Sequence, residues 1–156
     1  MPVVEQAIII EAPMTMVMAA LNDVQTIPEW ATVTGVIDNI QGSGPRMTYD
    51  WYYNIGNLNF SGKSRVIEQT ENTLITQTTG DIASIWIVTL TPASKKSTAM
   101  QVVVEYTLPN AFVEVLADAV IQQYATPEVA HENMRRFKEM VEARAKVVEK
   151  QIVVKV

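Results

Sequence analysis

From Trp30 to Leu108 the chain keeps one hydropathy period, and at Pro109-Asn110 it changes to another. Before the break, apolar and polar residues alternate in short runs between turn residues. After it, apolar residues recur every three or four positions. A period of two marks a strand with one buried face, and a period near 3.6 marks an amphipathic helix. A chain that spends most of its length on the first and finishes on the second has few ways to bury its apolar surface.

Two runs alternate most cleanly. Met47, Tyr49, Trp51 and Tyr53 share one parity, opposite Arg46, Thr48, Asp50 and Tyr52. Met100, Val102, Val104, Tyr106 and Leu108 share another, opposite Ala99, Gln101, Val103, Glu105 and Thr107. Turn signals at Gly42 to Pro45, Asn54 to Asn57, Gly80-Asp81 and Pro92 to Ser97 separate the runs. Short turns between neighbouring strands predict a mostly antiparallel meander.

Upstream, Val3 to Glu11 predicts a first strand, which Ala12-Pro13 ends. Met14 to Leu21 predicts a short helix with Val17 and Leu21 on one face. Asn22-Asp23 is expected to cap a second brief turn through Thr26. Pro28 is expected to end that turn and bias Ile27 toward extended geometry, so that Trp30 opens the second strand. Downstream, Val113, Leu116, Ala117, Val120 and Tyr124 predict a short helix. Thr126-Pro127-Glu128 then starts a long one, with an apolar stripe of Ala130, Met134, Phe137, Val141, Ala145 and Val148. The final Ile152 to Val156 has strand-like composition. The expected architecture is one α+β domain over residues 1–150, followed by a tail over 151–156. In it a curved antiparallel sheet of about seven strands wraps a long C-terminal helix, with two small helices after the first strand.

Bulk properties exclude several functions. The 156 residues suit one domain with a real core. A formal net charge of −5 disfavours non-specific nucleic-acid binding, which needs clustered Lys and Arg. The one basic cluster, Arg135-Arg136 with Lys138, is interrupted by Glu132 and Glu139 and reads as a solvated helix face. No run approaches the roughly 18 apolar residues of a membrane span. The N-terminus lacks the form of a signal peptide, so cytoplasmic residence is expected. With one histidine and no cysteine, neither a metal site nor a disulfide framework is expected.

The succession Ile8, Ile10, Ala12-Pro13, then Val17, Leu21 and Asp23, then Pro28-Glu29-Trp30, resembles the head of the START-like, or SRPBCC, superfamily. Trp86 to Pro92 followed by Thr98, Leu108-Pro109 and the long terminal helix extend that resemblance to most of the chain. The resemblance implies a helix-grip fold and a ligand cavity between sheet and helix. Polyketide cyclase/dehydrase-like and coenzyme Q-binding proteins are among the superfamily's members.

On this reading the cavity lining comprises Trp30, Met47, Tyr49, Trp51, Phe60, Trp86, Met100, Tyr106, Met134 and Phe137. Aromatic and Met side chains are common core fillers, yet so many Tyr and Trp groups in one small core require several hydrogen-bond partners. The favoured function is binding, with transport as an extension, of a hydrophobic or amphipathic small molecule such as a lipid, quinone or polyketide. No cofactor is expected. The alternative is a polyketide cyclase/dehydratase-type enzyme, with Tyr49, Arg65, Tyr106 and His131 as candidate catalytic groups. Strand parity points Arg65 outward unless a bulge inverts it, and His131 stands one position off the apolar stripe. A third reading is a protein-interaction module, a homodimer formed through the sheet edge or the tail.

Overall fold

The computed structural model describes residues 3–31, 34–55, 57–107 and 126–154. Seven strands form one sheet: β1 (Val3–Ile10), β2 (Thr34–Gln41), β3 (Thr48–Ile55), β4 (Leu58–Gln69), β5 (Thr73–Gly80), β6 (Ala83–Pro92) and β7 (Thr98–Thr107). Two small helices, α1 (Met14–Asn22) and α2 (Ile27–Trp30), follow β1, and α3 (Pro127–Val154) is the long terminal helix. The short helix expected around Val113 to Tyr124 lies outside the described residues.

The sheet order is β1-β7-β6-β5-β4-β3-β2, and every pair is antiparallel. From β2 to β7 the chain is therefore a meander, and β1 joins it through β7. This arrangement follows from the alternation: one face of each strand is apolar, and a single helix must cover all of them. Met47, Tyr49, Trp51 and Ile55 are buried on β3 and its entry, while Thr48 and Tyr52 are exposed. Met100, Val104 and Tyr106 are buried on β7.

α3 presents Met134, Phe137, Val141 and Ala145 to the concave face, each buried. Val148, expected on the same stripe, is 41% exposed, so the buried face ends at Ala145. On the outer face, Glu132 pairs with both Arg135 and Arg136, and Arg135 also pairs with Glu139. The basic cluster is thus neutralised along its own helix. The helix is latched to β1: the Lys138 ammonium donates to the Ile9 carbonyl at 2.9 Å, and the Glu11 N–H donates to Glu142 at 2.8 Å. Lys138 and Glu142 also pair with each other. The helix so covers an edge strand that would otherwise present free backbone groups.

The break at Ala12-Pro13 is secured from across the sheet. The buried Thr98 hydroxyl donates to the Ala12 carbonyl at 2.8 Å. Pro13 is extended and precedes the first turn of α1.

Three local expectations need correction. Pro28 lies within α2 near its start, and Ile27 is helical at φ −51° and ψ −45°. A proline without an N–H fits the first turn of a helix as readily as it ends one. Trp30 therefore closes α2 and does not open a strand; β2 begins at Thr34. Ile152 to Val154 continue α3 despite their β-prone composition, because extending an existing helix is much easier than starting a new element.

Candidate functional site

Two adjoining cavities lie between the concave face and the helices. The first, of about 100 Å³, is bounded by α1, α2 and strands β3 to β6. The second, of about 60 Å³, is bounded by β1, β6, β7 and α3. Leu21, Trp30, Trp86 and Val88 border both. The chain's three tryptophans all line the first cavity.

The strands place these side chains by parity. Met47, Tyr49 and Trp51 reach the first cavity from β3 and its entry, and Trp86 reaches both from β6. Met100 and Tyr106 reach the second from β7, with Met134 and Phe137 opposite them on α3. Trp30 is held by the α2 turn edge-on to Phe137, with ring centroids 5.5 Å apart. Trp86 and Tyr106 make a similar edge contact at 6.4 Å. Such packing fixes ring orientation and adds to simple burial.

Phe60 is the exception among the expected lining residues. It is buried, but in the cluster with Trp51, Ile55 and Tyr106 at one end of the sheet, and it borders neither cavity. The four candidate catalytic groups divide evenly. Tyr49 and Tyr106 line the first and second cavities respectively. Arg65 is exposed, and its Nε donates to Gln77 at 3.0 Å. The β4–β5 register shifts between Val66 and Glu68, one residue beyond Arg65, so the bulge does not turn Arg65 inward. His131 is exposed on α3.

The polar equipment of the first cavity is uncharged. Tyr49 hydrogen-bonds Ser64, and Ser64 bonds Thr78 with 2.8 Å between their hydroxyl oxygens. Burial pushes the Tyr49 phenol above its ordinary value, and the bond to Ser64 only partly offsets this. The phenol therefore stays protonated through neutral pH. Asn22, the last residue of α1, donates from Nδ2 to the Met18 carbonyl at 3.1 Å. Its buried Oδ1 has no partner among the described residues, and neither does the buried Nε1 of Trp51. Among the described residues lining the two cavities there is no charged side chain. No group of three or more His, Asp or Glu side chains gathers as metal ligands among the described residues.

Sequence reasoning missed Asn22, Thr76 and Thr78, all of which line the first cavity. Ser64 was detectable, since it shares the inward parity of Phe60 and Gly62 on β4. The inward Thr76 and Thr78 are hidden by a strand, Thr73–Gly80, that is polar on both parities.

No protein-family model and no curated protein matches the sequence. Solved structures do. TTHA0849 from Thermus thermophilus is 18% identical with a TM-score of 0.75, over 92% of this chain and 99% of that one. The Zhui aromatase/cyclase from Streptomyces sp. R1128 is 10% identical with a TM-score of 0.71, over 91% and 94% of the two chains. A START superfamily protein from Mycobacterium smegmatis is 16% identical with a TM-score of 0.60, over 94% and 98%. At these identities the likeness is one of fold, and the fold is START-like.

Proposed function

We propose that this START-like domain binds a small, largely apolar molecule between its sheet and terminal helix. The carrying observation is the pair of adjoining cavities, whose lining is aromatic and aliphatic with a few uncharged polar groups. Ligand sites have this composition: apolar walls supply affinity, and a few placed polar atoms supply orientation. The cavities are each well below the roughly 300 Å³ lower bound of drug-sized pockets. Their combined shape suits a single ring or a short chain better than a two-chain lipid.

A cyclase or dehydratase activity is the second reading. The Tyr49–Ser64 pair on the cavity wall and the fold shared with an aromatase/cyclase favour it. Against it, proton abstraction needs a group that loses its proton near neutral pH. Tyr49 is shifted the other way, and Arg65 and His131 are exposed. Tyr49 suits donating a hydrogen bond to a bound oxygen, which is a binding role. Native mass spectrometry of the purified protein, with organic extraction, tests the binding reading. A co-purifying apolar compound supports it. An empty protein whose three indole N–H signals also ignore titration with both alkylbenzenes and alkylphenols refutes it.

A further inference from the structure

Resting on the binding reading, we infer that the ligand's polar group is a neutral oxygen acceptor, such as a ketone, ester or ether, held in the first cavity by the Thr76 hydroxyl of β5.

Thr76 shares the inward parity of Leu74 and Thr78 and lines the first cavity. Its hydroxyl has no hydrogen-bond partner among the described residues. It is also absent from the unpartnered side-chain atoms that are sealed off from all contact, which are Asn22 Oδ1, Trp51 Nε1 and Gln69 Oε1. The Thr76 oxygen therefore keeps open surface, and its inward parity turns that surface to the cavity. Buried polar groups in native proteins find partners in protein, water or a bound molecule.

The neighbouring hydroxyls are themselves short of acceptors. Tyr49 and Ser64 are cross-strand partners, as are Ser64 and Thr78, and all three line the same cavity. Their chain holds three O–H hydrogens and two hydrogen bonds. Whichever way each bond runs, one hydrogen is left over on this wall. With Thr76 the wall has two hydrogens to spare. A carbonyl oxygen offers lone pairs and brings no further hydrogen, whereas an ammonium brings three. A carboxylate would meet no cationic side chain among the described lining residues, and an unpaired buried charge is strongly disfavoured.

The placement leaves room for an apolar body. Thr76 faces Trp86 across β5 and β6, and Trp86 borders both cavities. The Trp86 N–H is committed to Ser84 at 3.0 Å, so it does not compete for the ligand oxygen. Thr76 and Thr78 stand two residues apart on one strand, about 7 Å between Cα atoms. An oxygen at Thr76 thus sits beside the hydroxyl chain, with the body directed past Trp86 toward Met100 and Phe137.

Acetophenone and α-methylstyrene test this, because they share a planar shape and differ by C=O against C=CH₂. Calorimetry gives affinities, and infrared spectroscopy follows the isotope-labelled carbonyl. A carbonyl buried without a donor would bind about fivefold or more weakly than the alkene. Acetophenone should instead bind at least as tightly, with its stretch lowered from the value in alkane solvent. Thr76→Val, which nearly keeps the volume and suits a strand, should weaken acetophenone about fivefold or more, raise its stretch and leave α-methylstyrene unchanged. If that variant does not fold, the wild-type stretch and affinity ratio still decide. Much weaker binding of acetophenone with an unlowered stretch means that water alone serves these hydroxyls; it overturns the inference and leaves the binding reading intact. A lowered stretch that survives Thr76→Val also overturns it, as does tightest binding by 1-phenylethylammonium. Failure of both neutral probes to bind, with silent indole signals, counts against the binding reading itself.

Discussion

Gly62→Ala should loosen the sheet beneath the candidate site. Trp51, Gly62 and Gly80 are successive cross-strand partners on β3, β4 and β5. The indole of Trp51 lies against the bare backbone of Gly62. A Cβ at position 62 would sit 2.0 Å from the Thr79 carbonyl oxygen, 2.5 Å from Trp51 Cζ2 and 2.8 Å from Trp51 Cε2. Ordinary contacts begin near 3.4 Å, so about 1.4 Å must be found against the carbonyl and about 0.9 Å against the indole at once. The indole can tilt, but the carbonyl belongs to the neighbouring strand. Overpacking of this kind costs about 1–3 kcal/mol, partly offset by the roughly 0.5–1 kcal/mol that alanine gains over glycine within a strand. A net loss of about 1–2 kcal/mol in a chain of this length lowers Tm by about 2–8 °C. Thermal unfolding followed by far-UV circular dichroism measures it, and the Trp51 indole signal should shift in the same variant. Gly44→Ala is the contrast. Gly44 has φ +57° with only the Gln69 side chain within 4 Å, so its cost is backbone strain without displacement of Trp51. Wild-type stability in Gly62→Ala, with an unmoved indole signal, would refute the close-packing account of the cavity floor.

Phe137→Ala removes a side chain that is 2% exposed and supports Trp30; about 3–5 kcal/mol should be lost in urea unfolding, with a weakened near-UV signal. Tyr49 has a raised pKa in the folded state, so its contribution to stability is fully present below its unfolded value of 10.0 and declines as pH rises through the folded value. Tyr49→Phe should flatten the loss of stability above pH 10, measured by urea midpoints at successive pH values; an unchanged slope would count against its burial. Arg65→Ala should change stability by no more than about 0.5 kcal/mol and leave calorimetric ligand affinity unaltered, because its guanidinium sits outside the cavities on Gln77. A large loss of affinity in that variant would require a different site.

Residues decide their place most visibly where a single preference acts. On β3 and β7 one parity is aromatic or aliphatic and the other is mostly polar, with Ala99 and Val103 the exceptions on β7, so face and register follow from the pattern. The terminal helix is equally plain in Met134, Phe137, Val141 and Ala145. Difficulty begins where one residue suits two outcomes. Pro28 can end a helical turn or begin one, and the preceding turn at Val24–Thr26 selects the second. Val148 continues the stripe in sequence but extends beyond the buried face. Phe60 has the inward parity of a lining residue, yet its position along β4 takes it to the cluster with Ile55 and Tyr106. Parity gives the face; distance along the strand decides whether that face meets a cavity or packed core. Asn22 was hidden for another reason. A polar residue at the end of a short helix usually serves the chain turn, and only tertiary packing reveals that its oxygen is buried without a partner.

The same geometry explains why the site is polar but uncharged. In a meander with one face against a helix, every inward position costs an ionisable residue its hydration, so charges collect on the outward parity. Lys63 and Asp50 pair across β3 and β4 in this way, and Arg65 joins Gln77 across β4 and β5. A bulge is the device that could move one such residue inward. The sheet has two register shifts, between Asp38 and Gln41 on β2 and between Val66 and Glu68 on β4. Neither acts on Arg65: the second falls one residue too late. Moved to the other side of Arg65, that irregularity would invert its parity and aim a guanidinium at the Tyr49–Ser64 pair. As the strand stands, hydroxyl, amide and indole groups supply the cavity's polarity, which is chemistry suited to orienting a neutral oxygen and poorly suited to moving a proton.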